Sequence, residues 1–286
     1  MSIDDDSVEV PGGEVANGPG LVNRLGGGDR HFHADREVAA ELEAFAGGVA
    51  GAVRNAHAFK TAVVRSAAAA GVRQFLDLGC GIPREPYVYQ VAREYDAGAL
   101  VVSVEQDPSA FGWACDYLEW DERTVMVNAP YLTAGVLDHP VVAGSLDTAE
   151  PVGVLLVSAS HTAPLGEFGF ANLIWSLVRR LCPGSLLAVS QWAADDDLLR
   201  WAVNGFMAER TQGRWGSARS SKEIAAVLSR YPMPSCPPGP VGAWLSPGPV
   251  PARVLPVATP ALVEFGGVIE IGGGTAFPSR LPGGAL

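Results

Sequence analysis

The spacing of apolar positions changes once along the chain. Between about residues 35 and 70 they recur at helical intervals, through Val38, Leu42, Phe45, Val49, Val53, Phe59 and Val63, in an alanine-rich context. This predicts two helices, read as an N-terminal cap over residues 29–72. From Gln74 the pattern becomes short continuous apolar runs separated by amphipathic stretches. The runs at 74–78, 99–104, 124–127, 152–158 and 185–191 have the Val and Leu content of strands buried on both faces. Helices are expected between them, near 87–95, 109–120, 133–137 and 168–181, the last stopped by Pro183 and Gly184. Two more are expected at 196–209 and 221–230. The proline-dense stretch 232–251 reads as loop or edge structure, and the apolar alternation at 263–271 as a final antiparallel strand. Alternation of this kind implies an α/β fold with a doubly wound, mostly parallel sheet over residues 73–271. Residues 1–28 read as a flexible, Gly-rich leader and 272–286 as a loose tail.

Composition narrows the function classes. A chain of 286 residues, 48% hydrophobic, can bury one large core, with or without a cap. The formal net charge of -11 argues against a nucleic-acid backbone or an anionic membrane as partner, since no run of Lys and Arg offsets it. No apolar stretch approaches the roughly 18 to 20 residues of a membrane-spanning helix. The N-terminus, with Asp4, Asp5 and Asp6, lacks the basic and apolar regions of a secretory signal. Cys80, Cys115, Cys182 and Cys236 stand far apart, without a C-x-x-C pair, so neither zinc nor an iron–sulfur cluster is expected. A reduced, cytoplasmic location fits best. The oligomeric state is left open.

The candidate chemistry gathers at residues 74–83, QFLDLGCGIP. A chain leaving a strand and entering a helix must bend sharply there. The missing Cβ atoms of Gly79 and Gly81 permit the bend and let a ligand lie against main-chain amides. Asp77, two positions before the first glycine, suits the amino group of a methionine moiety. A dinucleotide fingerprint has an apolar residue at that place and a third glycine where this chain has Arg84. About 26 residues after Gly79, Glu105 ends the second strand, close to the offset of roughly 20 at which an acid grips ribose hydroxyls. The competing account makes Asp77 a helix cap and Glu105 a solvated strand-end charge. His31, His33 and Asp35 alternate as metal ligands on a strand do, but H-x-H in a polar loop without further ligands is more often incidental, and no metal is expected.

The chain also resembles a known family, the bacterial S-adenosylmethionine-dependent methyltransferases first catalogued as a domain of unknown function. The likeness is carried by GGDRHFHADREVA (27–39), NAHAF (55–59), QFLDLGCGIP, VVSVEQDP (101–108), LLVSASH (155–161), PGSLLAVSQW (183–192) and ARSSKEI (218–224). It covers about residues 20–225, and the remainder loosely through Trp244 and FGGVIEI (265–271). The resemblance implies a class I, Rossmann-like methyltransferase sheet, a helical region over the cofactor and S-adenosyl-L-methionine as that cofactor. Two departures stand out. Where the family has GGKDNF, this chain has Gly27-Gly28-Asp29-Arg30-His31-Phe32; where it has Ala-Asp-Leu after the third strand, with Asp reading the adenine amino group, this chain has Asn128-Ala129-Pro130 after Val127.

The expected cofactor site therefore comprises Asp77, Gly79 and Gly81 around the methionine moiety, Glu105 on ribose, Gln106 and Asn128 beside adenine, and Ser158 at the end of the fourth strand. Methyl transfer is an in-line displacement at a sulfonium, so alignment in a water-poor pocket supplies most of the rate. His161, just past the fourth strand, is the candidate general base, with a loop-capping role as the alternative. No N-P-P-Y or D-P-P-Y follows that strand, which disfavours amino methylation of nucleic-acid bases. The acceptor is expected to be a small molecule, a secondary metabolite. The rival readings are cyclisation or rearrangement with the cofactor bound but not consumed, and a non-catalytic binding or regulatory protein.

Overall fold

The computed structural model describes residues 13–118, 122–165, 169–245 and 261–272. The expected loose tail lies outside them from residue 273, as do residues 1–12 of the expected leader.

Three helices precede the sheet: α1 (Gly18–Leu25), α2 (His33–Phe45) and α3 (Val49–Ala69). The first corrects the expectation of a flexible leader through residue 28. Asn17 accepts a hydrogen bond from the Gly20 amide at 2.8 Å, Pro19 stands in the first turn, and Leu21 and Leu25 are buried. The glycines flanking this short segment mask its cap in the sequence. Asp35 ties α1 to α2: its carboxylate accepts from the Asn17 amide at 2.9 Å and the Phe32 amide at 2.8 Å, and it is fully buried. Burial pushes its pKa up. The helix α3 is more than a cap, because Phe59, Val63, Val64 and Ala67 pack it onto the sheet at β4 (Val152–Val157), β5 (Leu186–Ala193) and β7 (Val263–Glu270).

The other strands are β1 (Gln74–Leu78), β2 (Leu100–Glu105), β3 (Thr124–Asn128) and β6 (Cys236–Pro240), and the sheet order is β3-β2-β1-β4-β5-β7-β6. The first five pair in parallel; β7 runs antiparallel between β5 and β6. The proline-dense stretch thus contributes an edge strand, where a missing N–H costs least. Both faces are covered. On one lie α3, α4 (Val88–Arg93) and α5 (Pro108–Tyr117), on the other α6 (Pro140–Ser145), α7 (Gly169–Val178) and α9 (Ser221–Leu228). The helix expected at 133–137 is instead a 3-10 turn, Val136–Asp138, and α6 begins only at Pro140, an N1 proline. Two helices, α8 (Asp197–Arg210) and α10 (Gly242–Leu245), complete the order. The helix α8 packs with α1 and α2 in a third apolar cluster through Leu199, Val203 and Met207. Strand order reverses between β1 and β4. In an open parallel sheet this is where ligands bind, beyond the strand carboxyl ends.

A candidate cofactor cleft at the strand carboxyl ends

An open cleft enclosing about 1230 Å³, part of it continuous with solvent, lies at that reversal. Its floor is Asp77, Gly79, Gly81 and Glu105; α1 and α3 overhang it with Val22, Val53, His57 and Lys60; Tyr131, Ser158 and Thr162 close the side toward β4. The loop after β1 is tied to β2 by its own main chain. Gly79 and Cys80 donate to the Val104 carbonyl at 2.8 and 3.3 Å. Gly79 has φ +67°, and a Cβ there would fall 2.7 Å from the Tyr131 ring and 2.8 Å from Ala159. Only glycine fits. Tyr131 is held in turn by a 2.9 Å hydrogen bond to Thr162, whose hydroxyl donates to the Ala159 carbonyl.

Asp77 is buried on β1, and Lys60 of α3 donates to both its oxygens at 2.8 and 3.1 Å. Glu105 is buried at the end of β2. Its Oε2 accepts from the Gly81 amide at 2.9 Å and its Oε1 from the amides of Gln106 and Asp107 at 2.8 and 2.9 Å. Burial pushes its pKa up to about 7, against the opposing pull of those three amides. It is therefore no solvated strand-end charge, and Asp77 caps no helix. Ser158, a non-glycine residue at φ 55°, ends β4; its Oγ donates to Glu264 Oε2 of β7 at 3.4 Å, and Ser190 Oγ donates to Oε1 at 2.6 Å. A left-handed serine costs about 1 kcal/mol and persists where its surroundings over-determine it.

Asp77, Gly79, Gly81, Glu105 and Ser158 thus meet in one cleft. Gln106 and Asn128 do not line it. Both are exposed beside Glu105, with Asn128 opposite it in the β2–β3 register, and the Asn128 amide nitrogen donates to the Glu105 carbonyl at 2.9 Å. His161 is a correction. It is fully buried, outside the cleft lining, between the rings of Trp192 and Trp215 at centroid distances of 4.8 and 5.4 Å. Its Nδ1 accepts from the Trp192 amide at 3.4 Å, which leaves the proton on Nε2, and burial, then Arg219, lower its pKa to about 3. A ring so enclosed touches no acceptor. We expect His161→Phe to leave the pH profile of methyl transfer unchanged, whereas loss of a general base would cost about 10²–10⁴ in kcat; a loss of that size in steady-state kinetics would restore the base.

Lys60 and His57 went unnoticed in the sequence. Their signal was present, as Lys60 interrupts the apolar stripe between Phe59 and Val63 of a helix whose neighbours are buried.

The model of the S-adenosyl methyltransferase family matches residues 21–260, which include every residue named above as lining the cleft. The chain belongs to this family. Among solved structures this methyltransferase is similar to a candidate methyltransferase from Thermobifida fusca YX, at 24% identity over 93% of this chain and 99% of that one, with a TM-score of 0.76. It is similar to the same degree, TM-score 0.76 and 24% identity over 90% and 98% of the two chains, to a DUF574 family protein from Streptomyces avermitilis MA-4680. At that identity the likeness bears on fold alone, a class I methyltransferase sheet. No curated protein matches the chain. Among the described residues no helix is long and apolar enough to cross a membrane.

Proposed function

We propose that this methyltransferase acts on a small, largely apolar molecule of the secondary-metabolite kind, and that the cleft over Asp77, Gly79, Gly81 and Glu105 holds S-adenosyl-L-methionine beside it. One observation carries the reading: Asp77, buried in the cleft floor, already holds a primary ammonium, that of Lys60. A carboxylate that seats one ammonium there can seat that of a methionine moiety, and Lys60, displaced from it, is a cation for the methionine carboxylate. Gly81 has φ +65° and no atom within 4 Å of where a Cβ would stand, so a ligand can lie against its backbone. Glu105, buried at the end of β2, is the acceptor for ribose hydroxyls. The residues present therefore fit the cofactor.

When bound, the cofactor supplies an electrophilic methyl group on a sulfonium. The chain's own part is alignment and exclusion of water. Val22, Val53, Ile82, Pro83 and Pro86 give the cleft an apolar wall against which an acceptor is held. His57 is the histidine among the lining residues; its Nε2 contacts the Glu85 carbonyl at 2.9 Å and must donate to it, so Nδ1 keeps its lone pair. Burial lowers its pKa to about 4, and it therefore offers a hydrogen-bond acceptor rather than a charge at neutral pH. Calorimetric titration of protein freed of carried-over ligand tests the reading. Saturable binding of S-adenosylmethionine and S-adenosylhomocysteine with Kd below about 100 μM is expected. Absence of binding by either sinks it.

A further inference from the structure

A second pocket lies behind the segment that follows β4, on the side away from the cofactor cleft. Ser158 and Thr162 face the cleft, whereas Ser160 and Ala163 line this pocket together with Trp215, Gly216 and Arg219. Arg219 belongs to the ARSSKEI motif, to which the cofactor reading gives no task.

The Arg219 backbone is fixed. Its amide donates to the Trp192 carbonyl at 3.3 Å and its carbonyl accepts from the Ala194 amide at 3.0 Å, which adds a parallel bridge to the end of β5. The side chain is half-buried over the Phe170 ring, 5.1 Å from its centroid. Its Nη1 donates to Gln191 Oε1 at 2.6 Å and, at the 3.5 Å limit, to the Ser217 carbonyl. Among the described residues the opposite edge of the guanidinium, Nε and Nη2, has no partner, and no carboxylate is ion-paired with it. The acid acting on it from a distance is Glu223, whose Oε2 is engaged by the Ser220 amide and hydroxyl at 2.8 Å each.

The groups around this cation are donors as well. Gln191 Oε1 is taken by Arg219 and by the Ser160 hydroxyl at 3.1 Å, which fixes the orientation of the amide and leaves its Nε2 without a partner among the described residues. Among the described residues the indole N–H groups of Trp215 and Trp192 and the Nε2–H of His161, in ring contact with one another, have none either. A buried donor left unsatisfied costs about 1–3 kcal/mol, and a cation taken from water more. Of these groups Arg219 and Trp215 line the pocket itself, and a half-buried guanidinium edge with no carboxylate paired to it among the described residues calls for an acceptor-rich group. From this the structure assigns a carboxylate-binding site to the pocket lined by Arg219, Ser160 and Trp215, separate from the cofactor cleft and taking the carboxylate of a small organic acid. The planar fork of Nε and Nη2 matches two carboxylate oxygens. The site does not depend on the cofactor reading.

The test uses the whole protein and its own indoles. Trp215 lines the pocket, so tryptophan fluorescence and thermal shift are followed while benzoate, acetate or inorganic phosphate is added against chloride at equal ionic strength. Saturable benzoate or acetate binding in the millimolar range or tighter is expected, lost in Arg219→Gln and weakened about tenfold in Arg219→Lys, which keeps the charge but not the fork. The Lys variant, with circular dichroism on both, separates loss of binding from loss of fold. Absence of saturation up to about 50 mM, or an unchanged response in Arg219→Gln, overturns the assignment. So does phosphate binding with carboxylates excluded. Glu167 stands in the sequence between Leu165 and Gly169, both of which line the pocket. Binding that appears only in Glu167→Gln would mean that the carboxylate is the chain's own, and would also overturn the proposal.

Discussion

Asp77→Asn is expected to weaken S-adenosylmethionine binding by roughly a hundredfold, a loss of about 3 kcal/mol. The substitution keeps the size of the side chain and one carbonyl oxygen, but removes the charge that holds an ammonium in a place where water cannot replace it. Asp77 is 3% exposed and Lys60 donates to both of its oxygens, so the buried carboxylate is set to pair with an ammonium, that of Lys60 or that of the cofactor. Truncating one side of such a pair costs more than an exposed ion pair is worth, because the remaining charge stays desolvated. In the unliganded protein that remaining charge is Lys60, at the rim of an open cleft. It can turn to solvent, so the fold should survive with a modest fall in Tm. Calorimetry on wild type and variant, with circular dichroism as the control, decides the matter. A change in Kd of less than about threefold would show that the methionine moiety is held elsewhere.

How much of this was legible in the sequence depended on whether local pattern or tertiary placement made the decision. The five parallel strands could be read because a strand buried on both faces must be apolar throughout, and each run ends at a turn residue. Gly79 could be read because a sharp bend after β1 leaves little else. The helix α1 was hidden because its stability comes from Leu21 and Leu25 packing on distant elements, while its neighbours are glycines. His161 was misread for a related reason. Its place just past β4 is that of a rim residue, but whether the ring turns toward the cleft or inward is set by Trp192 and Trp215, contributed by later parts of the chain. Lys60 and Arg219 show the same limit from the other side. A lone cation in an amphipathic segment is ordinary in sequence and becomes informative only once its neighbours, Asp77 in one case and a ring of donors in the other, are known.

Glu264→Gln should raise stability at pH 8.5 and leave it nearly unchanged at pH 5. Glu264 is 1% exposed on β7, hydrogen-bonded by Ser190 and Ser158, and burial pushes its pKa up to about 8, the field of Lys60 and the two hydroxyls opposing. In the unfolded chain the same group titrates near 4.5. Below that value both states hold the proton. Between about 4.5 and 8 the folded protein retains a proton that the unfolded chain has lost, so the stability carried by the neutral form declines as pH rises through this window; above 8 the folded state bears a buried charge at full cost. The gap between the two values corresponds to a difference on the order of 5 kcal/mol, and an amide, which never ionises, should recover most of it. For a chain of this size that amounts to roughly 10 °C in Tm at the alkaline end. Glu105 adds a slope of the same sign and His57 one of the opposite sign, so the quantity to plot is the Tm of the variant minus that of wild type, in which both cancel. A difference that grows from near zero at pH 5 to its full size above pH 8 is the expected curve. One that stays flat would mean that Glu264 is ionised in the folded protein throughout, with Lys60 close enough to hold it so.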